Sequence, residues 1–594
     1  MSCLLSTRVV SGLSKLAEQL EKLDCDGESI RVWVFADHTS RTKAQKALRE
    51  LGFDIEILSA YKPLLHYFLE SVDLSNQTFE RVEIFYPQNQ HAAPTRFLLE
   101  AYPLAALIDS KSVVFTADSN LESHYRIRVY RAQQDVQEIV VLAPNIVCQS
   151  ATGELVFRPT GWIQVLDKQG RLSKELRLES DFEQVFELLM TSIQAYDWPS
   201  HSPYFERLVI DVKVPYQDDA IGYEHEVVSL KEALHEDLYF SIQEWFKYQE
   251  GKVLSARDSQ PGQIVPLIHD SHDGQYHLEL RLEPYTLHEP STTSLEFATL
   301  ALDDLDTISQ PISIAQLERQ FDDLPGQRFS AETVTGFRVN AKYIQGDDAA
   351  VYISGGQHAN ETSGVVGALR AAKQLLQKSN AHLVISPLEN PDGYLLNHEF
   401  MQLNPQHMNH AARYTVLGDD LEYRQCAPFY EQTIRHQATQ FSKAKLHINL
   451  HGYPSHEWTR PLSGYVPQGF EMWTIPKGFF LIVRYQDDDF WAEYAEQFIQ
   501  QLTAQLALNQ QIVEFNRRQI ALYQQHAGDT GFRIVNQFPC FVSKVEECDI
   551  PLQLITEFPD ETLYGEAFVF AHEIQQQTVV TAYQVHQRLW QQYN

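Results

Sequence analysis

The chain reads as an α/β protein of several domains. An α/β/α sandwich with a mixed, mostly parallel sheet is expected at its carboxyl end, preceded by an α/β and then a β-rich region. Three observations predict this. A length of 594 residues exceeds what one hydrophobic core organises. From about residue 312 onward, short β-branched and aromatic runs alternate with helical stretches, the pattern of a sheet covered by helices. Before residue 290, strand-like runs dominate once the first hundred residues are passed. The expected division is a small α/β domain at 1–115, a β-rich α+β domain at 116–290, a linker at 291–311 within a stretch rich in Pro, Ser, Thr and Asp, and a carboxyl-terminal domain at 312–594.

In the amino-terminal half, strands are predicted at 31–36, 54–58 and 81–86 around a helix at 42–51. No phosphate-binding loop accompanies them. Strands follow at 125–130 and 138–142, a long helix at 228–250, and strands at 262–268 and 276–282. His225, His235, His269, His272 and His277 cluster in sequence, but their spacing matches no ligand set, so a structural or recognition role is expected, such as restricting access to a cleft or mediating oligomers. In the carboxyl-terminal half, 335–344 alternates as a strand should and Gln345-Gly346-Asp347-Asp348 turns the chain. The apolar run 350–354 reads as a buried strand broken by Gly355-Gly356. Helices at 364–377, 429–441 and 489–508 then alternate with strands at 382–386, 446–450 and 541–546.

Composition narrows the function. A net charge of −32 repels nucleic-acid phosphates and anionic membrane surfaces, and no apolar run reaches spanning length. Cysteines at 3, 25, 148, 426, 540 and 548 form no dense framework, which predicts reduced thiols and a cytoplasmic location. Leu13, Leu16, Leu20 and Leu23 alternate with charges, an amphipathic helix rather than a signal peptide.

Chemistry concentrates at two strand ends. His358 and Glu361 stand in Gln357-His358-Ala359-Asn360-Glu361, on a strand-to-helix loop of the kind where open α/β sheets bind ligands. Among 23 histidines, one or two His-x-x-Glu strings arise by chance. A second strand pattern, ending in Asn449-Leu450-His451-Gly452, supplies a further nitrogen. Two histidines and one carboxylate would hold Zn²⁺, one ion per chain, with a tetrahedral position left open, as catalytic sites do.

With Asn390-Pro391-Asp392-Gly393-Tyr394 and the acidic string at 545–549, these motifs fall in an order that resembles the zinc carboxypeptidase family and, more distantly, the succinylglutamate desuccinylase and aspartoacylase branch of its superfamily. The likeness covers 312–594. It implies a hydrolase acting on a carboxyl-terminal peptide or amide bond, with Glu546 as general base and Glu547 the alternative, since neighbours on a strand face opposite ways. It also implies that Arg413 stabilises an oxyanion and Arg424 anchors a substrate carboxylate. The chain departs from the family where Glu422 replaces asparagine and Tyr423 replaces arginine, which puts recognition of a free carboxyl terminus in question.

His407 and His410 flank Asn409 close enough to Arg413 to join the pocket, and Asn409 and His410 stand as substrate-binding candidates, with exposure to solvent the plainer expectation for both histidines. His447 is expected to pack behind His451, His456 and Glu457 to line the cleft, and nothing selects among Tyr465, Tyr485 and Tyr523. The substrate is then a peptide or an acylated amino acid, the latter under an alternative deacylase reading. A non-catalytic binding module on the same fold is the third reading.

Overall fold

The computed structural model describes residues 2–593 apart from 24–26, 73, 75–78, 109–111, 288–303, 467–469 and 547. Its frame is a nine-stranded mixed sheet built from the carboxyl-terminal half, in the order Gln327–Glu332, Arg338–Ile344, Leu383–Ser386, Val351–Gly355, Leu446–Pro454, Leu552–Glu561, Phe480–Gln486, Phe538–Val545 and Arg533–Val535. The four strands from Leu383–Ser386 to Leu552–Glu561 are mutually parallel, and antiparallel pairs appear toward both edges, so the sheet is mixed with a parallel centre.

The parallel centre explains the sequence of its strands. Leu446, Ile448 and Leu450 point to one face, where helices Ser363–Leu375, Asp489–Leu506 and Glu566–Tyr593 bury them in a continuous apolar core. His447, Asn449 and His451 alternate onto the other face. That face is covered in part by helix Thr433–Ser442, which packs Ile434 and Ala438 on Tyr352 and Val384. The remainder is left for chemistry.

The amino-terminal half is not split at residue 115. Strand Ser2–Val10 pairs with Gln275–Glu283, and Ser29–Val34 pairs with Gly161–Leu166, so two sheets cross the expected boundary. Long-range pairing of this kind leaves no local signal in sequence. Of the expected linker, 291–303 lies outside the described residues, while in the rest Leu305 is buried and Asp306 pairs with Arg370 at 2.7 Å. Helix Leu230–Gln249, capped by Ser229 accepting from the Glu232 N–H, is buried along most of its length. It joins the halves through a row of acids: Glu232 bonds His456 at 2.9 Å, Glu236 bonds His410 at 2.8 Å, and Asp237 accepts the Leu462 and Ser463 N–H groups. Apolar residues of both halves, such as Leu234 and Ile242 with Phe400 and Trp458, share one core. Among the described residues, no helix is long and apolar enough to cross a membrane.

Candidate active site

His358 and Glu361 follow the strand Val351–Gly355 on the loop that opens helix Ser363–Leu375, and His451 lies in the adjacent parallel strand. Gly356 makes the loop possible: its φ is +59°, and a β-carbon there would come 2.6 Å from the Leu388 side chain. Three side chains converge. His358 Nδ1 lies 2.9 Å from Glu361 Oε1 and 3.0 Å from His451 Nδ1, which is itself 2.8 Å from Glu361 Oε2. Tetrahedral ligands about 2.0 Å from a zinc ion would sit roughly 3.3 Å apart, so this donor set closes on a volume of the right size.

The surrounding bonds aim the rings. His358 Nε2 donates to Asp420 Oδ2 at 3.1 Å and His451 Nε2 to Gln357 Oε1 at 3.2 Å, so each ring carries its proton away from the cluster and turns a bare Nδ1 inward. Gln357 is fixed in turn, its oxygen accepting from Arg435 and Asn449 and its Nε2 donating to Asp420 Oδ1 at 2.9 Å. His447 is stacked 4.4 Å from Tyr352 and bonded to Ser354, behind the site as its position predicts. Burial alone would raise the Glu361 carboxyl, but His358, Arg413 and His451 hold it well below the usual carboxylate range. The His451 imidazole is pushed down by burial, against the pull of Glu361. A deprotonated carboxylate facing two ring nitrogens turned inward by their outer hydrogen bonds is the arrangement in which such a set ligates a metal.

The cluster opens on a cavity of about 140 Å³ lined by His358, His451, Arg413, Arg257, Glu422 and Glu557, among others. Arg413 lies beside the cluster, donating to Glu361 Oε1 at 2.6 Å. Residues 332–422, which carry His358, Glu361 and Arg413, match the family model described as Zinc carboxypeptidase. This segment is thus similar to the zinc carboxypeptidase family. Similar solved structures include a metallo-carboxypeptidase from Burkholderia cenocepacia (12% identity, 55% of this chain and 77% of that one, TM-score 0.30). Another is a metallo-carboxypeptidase from Pseudomonas aeruginosa in complex with (2-guanidinoethylmercapto)succinic acid (13%, 54% and 74%, 0.29). A third is carboxypeptidase A from Helicoverpa armigera (12%, 52% and 83%, 0.30). The comparison with curated proteins gave no match.

The other expected site residues fall in four places. His410 lines the cavity, but its Nδ1 is held by Glu236 and its ring lies 4.2 Å from Trp458. Burial pushes its pKa well below the ordinary value, with Arg413 adding to the effect, so it is a neutral wall. His407 is buried as well, bonded to Asp218 at 2.7 Å, and neither histidine has the solvent exposure its loop suggested. Asn409 faces away from the cavity, bonded to Asn397 at 3.2 Å. Arg424 turns its donors inward, onto both Asp419 oxygens at 2.7 and 2.8 Å, Glu431 at 2.8 Å and the Phe429 carbonyl. The guanidinium is thereby committed to neighbouring groups of the protein, and it does not line the cavity.

Glu546 lies at the far edge of the sheet. The Leu552–Glu561 and Phe480–Gln486 strands separate Phe538–Val545 from the His451 strand, and Phe538–Val545 runs in the opposite direction, so Glu546 is exposed beside the amino end of the strand that carries His451. Glu547 lies outside the described residues. Among the acids of the late strands, Glu557 lines the cavity. It pairs in parallel register with His451, and paired residues of adjacent strands project from the same face. Burial pushes its carboxyl well above the usual range, and the charge of Glu361 adds to this. Its Oε2 has no hydrogen-bond partner among the described residues. The signal was present in Leu552-Gln-Leu-Ile-Thr-Glu557, an apolar run ending in an acid, but the acidic string at 545–549 competed with it.

The inward-turned Arg424 yields a stability prediction. Arg424→Met strands two buried carboxylates, at a cost of about 3–5 kcal/mol, and the urea-unfolding midpoint of the carboxyl-terminal half should fall accordingly. A variant that unfolds like the parent but binds peptide acids more weakly would instead make Arg424 a substrate anchor.

Proposed function

We propose that the cavity hydrolyses a carboxyl-terminal peptide or amide bond, with Glu557 as the general base and acid. His358, Glu361 and His451 are the residues that would hold zinc, and the ion, when bound, supplies a Lewis acid and acidifies water. The observation that carries this reading is the convergence of the three ligand atoms with Glu557 placed directly opposite His451 on the next strand. A carboxyl whose proton affinity is raised by burial accepts a proton from the attacking water and returns it to the leaving nitrogen, where a free surface carboxylate would be too weak a base. Arg413, largely covered and permanently charged, offers a guanidinium to the oxygen that gains negative charge in the transition state. His410 and Trp458 exclude water from one side.

Two measurements test it. Metal analysis should return about one zinc per chain, as the ligand set implies. A panel of N-acyl dipeptides, their carboxyl-terminal amides and simple N-acyl amino acids should show turnover on the free-acid dipeptides. Turnover confined to N-acyl amino acids would replace peptide cleavage by deacylation at the same centre, and a metal-free chain inert on all three would remove the hydrolase reading.

A further inference from the structure

The amino-terminal half reaches the cavity with one side chain. The segment after helix Leu230–Gln249 is tied to the loop that carries Asp420: the Arg257 carbonyl accepts the Asp420 N–H at 2.9 Å, the Gly262 N–H donates to the Leu417 carbonyl at 2.9 Å, and Gln260 donates to Asp419 at 2.7 Å. These bonds fix the backbone of Arg257 beside the site and aim its side chain into the same cavity as His358, His451 and Glu557.

Its guanidinium is unlike the others there. Arg413 is bonded to Glu361 at 2.6 Å and Arg484 to Glu422 at 2.6 Å. Arg257 has no side-chain hydrogen bond among the described residues: its nearest carboxylate oxygen, Asp420 Oδ2, is 3.9 Å away, beyond hydrogen-bond reach. It is held by rings instead, 5.4 Å from the centroid of Tyr423 and 5.9 Å from that of Phe470. The side chain is 28% exposed, so its donors are open to the cavity and not sealed in the core. Asp420 lies between it and His358, which places the open guanidinium one carboxylate away from the ligand cluster. Tyr423, the residue standing where the family has arginine, is the one that presents its ring to Arg257.

We infer that Arg257 is the substrate-carboxylate anchor of this site, a specificity-determining residue supplied across the interface by the amino-terminal half. A planar fork with five N–H donors, unengaged and stacked on aromatic rings in a water-limited cavity, fits a carboxylate in bidentate fashion better than any other small group a peptide end offers. The loop tethers make the position rigid, so the charge missing from the chain at Tyr423 returns in space from another segment. The inference also gives the first half of the chain a share in substrate selection. It rests on the hydrolase reading for the identity of the substrate, but not for the binding event.

The test separates the two. Glu557→Gln, which blocks proton transfer, is used as a binding-competent background, and affinity is measured by calorimetry for an N-acyl dipeptide acid and its amide, with and without Arg257→Gln. The acid should bind the background about 10- to 100-fold more tightly than the amide, and Arg257→Gln should erase that difference while leaving the amide unchanged. Arg257→Lys should restore part of it. In otherwise wild-type protein, Arg257→Gln should raise KM for the acid with little change in kcat. An acid-to-amide ratio that survives Arg257→Gln overturns the inference even where hydrolysis is intact. A chain without turnover but with an Arg257-dependent preference for the acid overturns the hydrolase reading alone.

Discussion

Glu557→Gln should lower kcat by about 10²–10⁴-fold, the usual worth of a positioned general acid–base group, while zinc content stays as in the parent. The amide is isosteric and adds no charge, so the cluster keeps its shape; what it loses is the ability to accept a proton. Because Glu557 repels Glu361 across a buried space, removing its charge should tighten the metal site slightly, if it changes it at all. Glu546→Gln is the matched control: exposed at the opposite edge of the sheet, it should leave kcat and KM within twofold of the parent, a roughly neutral surface change. Single-turnover rates for the two variants on one peptide acid check both statements. A Glu546 variant that loses turnover while the Glu557 variant retains it would return the general base to the 545–549 string.

The contrast between those two glutamates shows where sequence reading works. The approach of His358, Glu361 and His451 to one another is legible because each sits at or just past the end of an apolar strand pattern, and parallel strands deliver their ends to one edge of the sheet without any knowledge of order. The choice between Glu546 and Glu557 depends on strand order and direction, and one antiparallel insertion, Phe480–Gln486, sends the later string to the wrong edge. That strand left no mark on the sequence of its neighbours. Arg424 failed for a different reason: an arginine that bonds substrate and one that bonds Asp419 and Glu431 have the same local sequence, and only burial separates them. Nothing in the sequence singles out Asp420 and Gln357, because their bonds to the two imidazoles exist only once the rings have directions. The amino-terminal half resisted division because Ser2–Val10 finds its partner more than 260 residues later.

His451→Ala should abolish metal binding and turnover together. It removes one of three protein donors, and the remaining pair, His358 and Glu361, lie three residues apart on one loop with nothing from the neighbouring strand to close the site. The loss should therefore exceed the about 10–100-fold in affinity that removal of an orienting partner costs, which is what Asp420→Asn should show. Asparagine at 420 can still accept from His358 Nε2, but it gives up the charge that holds that proton on the outer nitrogen. The two variants thus form a graded pair, read by competition with a chromophoric chelator: ligand loss severe, orientation loss moderate, and turnover following metal occupancy in both. If His451→Ala retained stoichiometric zinc, the ion would have to lie elsewhere in the chain, and neither Glu557 nor Arg257 would stand beside the reacting bond. If Asp420→Asn proved as damaging as His451→Ala, Asp420 would be acting as a ligand itself, and the network through Gln357 and Arg435 would have to be read as part of the metal's own shell.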